Sequence, residues 1–67
     1  GLIYALNTSN RWWGIDSLST GIVNKNLIPV CWDGIDKSRP EDKTTSNSGK
    51  ADIWAPPEGY VVFEVRD

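Results

Sequence analysis

The chain has 67 residues with a single cysteine, Cys31, and no histidine. These counts exclude an intramolecular disulfide and a zinc site built from cysteine and histidine. Chains this short bury little apolar surface, and without cross-links they commonly depend on oligomerisation or on a partner. We therefore expect no cofactor and no metal, and we expect self-association or binding to another protein chain.

The charge balance and the shortness of the apolar runs each disfavour one class of partner. The formal net charge is −2, and the seven basic residues are scattered singly along the chain. A nucleic-acid-binding domain usually carries a clustered basic face, and no apolar run approaches the length of a membrane span. The sequence therefore predicts neither nucleic-acid binding nor membrane insertion.

Short apolar runs separated by turn-forming residues predict a mostly β domain. Runs of this length, rich in β-branched and aromatic residues and bounded by Gly, Pro, Asn or Asp, are typical of strands. They occupy residues 1–6, 22–23, 27–32, 51–54 and 60–65. The expected fold is one domain over residues 1–67, a small open sheet or barrel-like roll of about four to five strands.

Two segments depart from the strand pattern. Ile15, Leu18 and Ile22 have helical spacing, which allows at most one short helix over residues 15–20. Residues 36–50 contain no large apolar side chain, so we expect a long solvated loop there.

The runs at the two ends of the sequence allow two interpretations. Either they pair as neighbours in one sheet, or the chain is a segment of something larger. Pro29 lacks a main-chain N–H, which predicts that its strand is irregular or lies at an edge.

Four tryptophans are many for so short a chain. Indole rings stack on sugars and anchor protein interfaces, but they can also fill a core that lacks other large residues. Trp32 and Trp54 lie in strand-like runs and are interpreted as core. Because neighbouring side chains on an extended segment point to opposite faces, one of Trp12 and Trp13 is expected at the surface.

The polar residues offer no catalytic constellation. Cys31 has no histidine to act as its base, and its apolar neighbours predict a buried structural thiol. Asp33 and Asp36 fit turn-forming roles, because they show neither calcium-loop spacing nor a pocket. Asn7-Thr-Ser matches the N-glycosylation acceptor pattern, on a turn where Asn7 should be accessible.

Residues 27–33, Leu-Ile-Pro-Val-Cys-Trp-Asp, follow Trp13 and Gly21-Ile-Val in the sequence. This segment resembles the opening strand of some secreted zinc proteases of the metzincin group. The zinc-binding helix of that group needs histidines, which this chain lacks. The resemblance therefore implies no catalytic residue here, and at most a fragment or small subunit of a larger extracellular enzyme assembly.

Three functions follow from these patterns. The first is a non-catalytic, secreted or extracellular module that presents Trp12 and Trp13, with Tyr4 and Tyr60, to a carbohydrate or a protein. The second is a subunit of an enzyme assembly whose catalytic groups lie on another chain. The third is a small inhibitor that contacts its target through residues 36–50. An autonomous enzyme is disfavoured because so small an interior cannot hold a rigid site.

Overall fold

The computed structural model describes residues 1–67 and contains strands but no helix. Its elements are β1 (Leu2–Asn7), β2 (Trp13–Ser19), β3 (Asn26–Asp33), β4 (Lys43–Thr44), β5 (Lys50–Ala55) and β6 (Gly59–Arg66). The prediction of a small all-β roll is confirmed, with six strands instead of four to five. The runs near the two ends pair with each other, because β1 is antiparallel to β6.

Two sheets follow each other around a partial barrel. The larger sheet has the order β1–β6–β3–β4, and the smaller one pairs β2 with β5. A tight turn over residues 45–49 brings β4 beside β5 and joins the sheets on that side. On the opposite side no ladder connects β1 to β2. The barrel is therefore open along one line, which we call the seam, between β1 and β2.

The core is small for a chain of this length. Six apolar residues are buried between the sheets: Leu27, Ala51, Ile53, Ala55, Val61 and Phe63. β6 alternates between its two faces, with Val61 and Phe63 inside and Tyr60 outside. Nine large apolar side chains remain exposed, so much of the apolar surface of this chain is not covered by the chain itself.

The short helix that the spacing allowed over residues 15–20 is absent, and a β-bulge explains the helix-like spacing. Ile15 pairs with Ile53 and Leu18 with Ala51, so β2 contains one more residue than β5 between these pairs. Ser17 takes up the extra residue at φ 55. Because of the bulge, two residues three apart lie on one face of a strand, which imitates helical periodicity.

A second bulge reverses the predicted burial of Cys31. Pro29 pairs with Phe63 and Cys31 with Val62, so Val30 is an extra residue in β3. Leu27 and Pro29 point inward, and strict alternation would also place Cys31 inside. The inserted residue shifts the phase by one, which turns Cys31 outward and leaves its thiol exposed. The predicted irregularity at Pro29 is present.

Residues 22–23, one of the apolar runs expected to form a strand, do not form one. Gly21 at φ 76 and Asn24 at φ 52 turn the chain here. The partner of β2 is β5 instead. Thirty residues separate these two strands in the sequence, and no local pattern indicates a pairing over that distance.

The polar stretch 36–50 is more ordered than a free loop. Its residues 43–44 form β4 and pair with residues 26–27 of β3. Thr45 is buried, and its main-chain N–H donates to the Lys25 carbonyl at 2.9 Å while its hydroxyl accepts from the Lys25 N–H. Main-chain and hydroxyl hydrogen bonds can therefore fix a segment that has no large apolar side chain.

Candidate functional site

The four tryptophans divide into one exposed ring and three half-buried rings. Trp13 is 61% exposed, whereas Trp12, Trp32 and Trp54 are partly covered. The prediction that one of Trp12 and Trp13 lies at the surface is confirmed. Trp54 was expected in the core, but it lies on the outer face of the β2–β5 ribbon, since its neighbours along the strand point inward.

Trp12 is held by a carboxylate from the turn after β3. Its indole Nε1 donates to Asp36 Oδ2 at 2.8 Å. Hydrogen bonds from the Ser38 side chain, from the Trp12 indole and from the Ser38 main-chain N–H lower the pKa of Asp36 from its ordinary 3.8 to about 2. Asp36 thus links two turns that are 24 residues apart.

Trp54 is held in a comparable way by β2. Its Nε1 donates to Asp16 Oδ1 at 3.0 Å. Gly14 is the cross-strand partner of Trp54, and a Cβ atom at Gly14 would lie only 2.7 Å from Trp54 Cγ. Because Gly14 has no side chain, the Trp54 indole can lie directly against the ribbon.

Trp12 and Trp54 line an open cleft of about 450 Å³. The remaining lining residues come from the polar stretch: Arg39, Pro40, Glu41 and Lys43. Arg39 also forms an ion pair with Asp42, with Nη2 and Oδ1 at 2.8 Å, and Lys43 Nζ lies 3.8 Å from Glu41 Oε2. The cleft therefore combines two fixed indoles with two cationic hydrogen-bond donors and one carboxylate acceptor. Each of the two cations is paired with a carboxylate.

A second, apolar groove lies at the seam. Tyr4 and Leu6 of β1 form one wall, and Trp13 and Ile15 of β2 form the other. No charged residue lines this groove. Its floor is completed by Ala5, Gly14, Leu18, Ile53 and Ala55.

Trp13 and Ile15 point toward the core but are not covered. Trp13 pairs with Ala55 and Ile15 with Ile53, and directly opposed side chains share a face. Ala55 and Ile53 are buried, yet Trp13 and Ile15 are 61% and 57% exposed. The larger sheet ends at β1 and does not extend over β2. The groove is therefore an uncovered margin of the core.

The two candidate tyrosines lie on the outer face of the larger sheet. Tyr4 is 74% exposed on β1, and Tyr60 is 38% exposed beside it, opposite Leu6. The Tyr60 hydroxyl lies 3.6 Å from Cys31 Sγ, and this hydrogen bond raises the pKa of Tyr60. The structure thus places Tyr4 and Trp13 at one groove and separates Trp12 from them.

Asn7 is buried, contrary to the accessibility expected from its turn. It is 4% exposed, and its Nδ2 donates to the carbonyls of Arg11 at 2.6 Å and Ala55 at 3.1 Å. Its Oδ1 accepts from the main-chain N–H and the hydroxyl of Ser9. The nitrogen that would carry a glycan therefore joins β1 to the segment before β2 and to the end of β5.

We expect the acid stability of the fold to depend on Asp36. Because its pKa is lower in the folded state, its contribution is complete above pH 3.8 and is lost as the pH falls toward 2. Asp36→Asn should flatten the fall in melting temperature between pH 4 and pH 2, as measured by circular dichroism. The control is Glu58→Gln, which removes an exposed carboxylate outside any ion pair. Equal pH profiles for Asp36→Asn and the parent would contradict this expectation.

Comparison with protein-family models, with curated proteins and with solved structures gives no match. No group of three or more metal-ligating side chains lies together, and no helix is suited to crossing a membrane. The sequence reasoning singled out Trp12 and Trp13 but missed the role of Trp54. Since Trp54 lies 42 positions after Trp12 in the sequence, only the tertiary structure brings the two rings to a shared cleft.

Proposed function

We propose that this chain is a non-catalytic assembly module that pairs with a second copy of itself through the β1 edge. The proposal rests above all on one observation, the uncovered apolar margin at the seam. The exposed apolar side chains there are Tyr4, Leu6, Trp13 and Ile15. Contiguous exposed apolar surface in a small domain commonly marks a protein interface.

The β1 edge carries none of the usual protections against strand pairing. Natural sheets protect their edges with lysine, proline, bulges or very short strands. β1 is six residues long, its sequence is Leu-Ile-Tyr-Ala-Leu-Asn, and its register with β6 is regular. Its other edge has no strand partner. An uncharged, regular and unpaired edge of this length favours the addition of another strand.

The sequence of β1 is complementary to itself in one antiparallel register. With Tyr4 opposite Tyr4 of the second copy, Leu2 lies opposite Leu6, and Ile3 lies opposite Ala5. These opposed pairs are all apolar or aromatic, and no like charges meet across the interface. A twofold arrangement of this kind gives a closed dimer, since each copy uses the same strand.

The dimer also offers a reason for the position of Trp13. A strand added to β1 lies next to the groove in which Trp13 and Ile15 are uncovered. Covering an indole and an aliphatic side chain stabilises an interface by about 1.5 to 3 kcal/mol for each fully buried side chain. Trp13 and Tyr4 are the aromatic anchors of this interface.

Light scattering of the purified chain should show a mass of twice 7.5 kDa that falls to 7.5 kDa on dilution over about a hundredfold range. Leu6→Lys should shift the equilibrium to monomer by at least about tenfold, because a charge is then placed at the paired edge. Leu6 is 78% exposed, so this change leaves the core intact.

Ile35→Lys is the matched control, since Ile35 is 67% exposed but lies outside the seam groove and β1. It should dimerise like the parent. A monomer at every concentration would overturn the proposal, as would dimers that Leu6→Lys does not weaken. If a strand of a different protein displaced the second copy, the β1 edge would be shown to bind strands in general.

The same exposed edge also suits a chain that serves as a subunit of a larger, mixed assembly. In that case a strand of another protein would take the place of the second copy, and the catalytic groups of the assembly would lie on a chain other than this one. The extracellular location stays a prediction. The inhibitor hypothesis receives less support, because residues 43–45 of the stretch proposed as its contact are tied into the sheet.

A further inference from the structure

We propose that the cleft between Trp12 and Trp54 binds a neutral saccharide, with a pyranose ring against the indoles and its hydroxyls bonded to the charged rim. This site goes beyond the assembly function and does not depend on it. Trp54 lies on the outer face of the β2–β5 ribbon, whereas Trp13 lies on the inner face at the seam. One ribbon thus carries two binding surfaces on opposite sides.

The size of the cleft and the fixing of its rings both fit a small ligand. Its volume of about 450 Å³ falls within the range of small-molecule sites, about 300 to 1,000 Å³. Asp36 and Asp16 hold the two indoles through their Nε1 atoms. Rings that are already fixed lose little conformational freedom when a ligand binds, which favours affinity.

The rim supplies what sugar hydroxyls require. The guanidinium of Arg39 and the ammonium of Lys43 donate hydrogen bonds, and the carboxylate of Glu41 accepts them. A sugar hydroxyl both donates and accepts, so it can use either kind of group. Because Glu41 and Asp42 offset the two positive charges, the rim favours a neutral ligand over an anionic one.

Two other ligands that stack on aromatic rings fit less well. A proline-rich peptide usually lies in a groove of aromatic rings, whose own N–H and O–H groups donate hydrogen bonds to its carbonyls. Here the N–H groups of Trp12 and Trp54 are already bonded to carboxylates. A nucleic acid would meet a protein of net charge −2 without a clustered basic face.

Calorimetric titration with neutral hexasaccharides of glucose, N-acetylglucosamine, xylose and mannose tests this site. We expect saturable binding of at least one of them with a dissociation constant of about 1 mM or lower. Arg39→Ala and Glu41→Ala should each weaken that binding by at least about fivefold, since each removes a hydrogen bond from an exposed rim position. Trp54→Phe should weaken it further while keeping a ring against Gly14.

Matched controls separate the cleft from general effects. Arg66→Ala and Glu58→Ala remove the same side-chain types outside the cleft, and both should bind like the parent. Leu6→Lys should also bind like the parent, because it alters only the dimer edge. Thermal melts of each variant confirm that a loss of binding does not come from unfolding.

Three results would overturn the proposal. The first is the absence of saturable binding to every neutral hexasaccharide. The second is binding that Arg39→Ala and Glu41→Ala leave unchanged, which would place the sugar elsewhere. The third is binding of a proline decapeptide or of a sulfated hexasaccharide in preference to the neutral sugars. None of these results bears on dimer formation through β1.

Discussion

Replacing Gly14 by alanine is expected to unfold a large fraction of the protein. An alanine Cβ at this position would lie 2.1 Å from the Ile53 carbonyl oxygen and 2.7 Å from Trp54 Cα. These are main-chain atoms of the paired strand, so they can move only if β2 and β5 separate. We expect a loss of about 3 kcal/mol or more, from a total of about 3 to 10 kcal/mol for a chain of this length.

Urea unfolding followed by tryptophan fluorescence measures this loss, with Gly21→Ala as the matched control. A Cβ at Gly21 meets no atom within 4 Å, but its φ of 76 is unfavourable for alanine. Gly21→Ala should therefore cost about 1 to 2 kcal/mol, clearly less than Gly14→Ala. Equal losses in the two variants would show that the β2–β5 contact is looser than described.

Asn7→Ala is expected to destabilise the fold by about 2 to 4 kcal/mol. The change removes four hydrogen bonds, among them the side-chain donor to the Ala55 carbonyl, whereas the Arg11 carbonyl keeps the Ser9 hydroxyl as a donor. An unpaired buried polar group costs about 1 to 3 kcal/mol in addition to the lost bond. The same carboxamide explains why a glycan on Nδ2 is incompatible with these contacts.

Asn7→Asp and Asn10→Ala test whether the loss of stability in Asn7→Ala comes from the hydrogen bonds of the Asn7 carboxamide. Asn7→Asp keeps the shape but replaces the donor with a carboxylate that faces two carbonyl oxygens, so it should be at least as destabilising as Asn7→Ala. Asn10 is exposed, and Asn10→Ala should change the free energy of unfolding by less than about 0.5 kcal/mol. A small effect of both Asn7 variants in chemical denaturation would contradict the structural role of Asn7.

Regular alternation explains which strands were predictable. β6 is regular over Tyr60–Val65, so its division into an inward and an outward face follows from the period of two, whereas its pairing with β1 was one of two alternatives that the sequence left open. β2 and β3 each contain a bulge. One inserted residue reverses the phase of a period-two pattern, so Ile15 and Leu18 imitated a helix and Cys31 was predicted inside.

The candidate site was likewise predictable only in part. The sequence pointed to Trp12 and Trp13 because adjacent aromatic residues cannot both face one core. It did not group Trp12 with Trp54, Arg39 and Lys43, since these residues meet only after β2 pairs with β5 and the polar stretch folds beside them. Long-range pairing of strands carries no local signal in the sequence.

The sequence by itself determined the all-β class, the absence of an intramolecular disulfide and of a histidine ligand, and the small size of the core. These properties follow from composition and from the period of apolar residues along each segment. Only the tertiary structure decided the positions of the two bulges, the burial of Asn7 and the open seam at β1. Each of these depends on contacts between segments distant in sequence, whose energies are absent from any short window of residues.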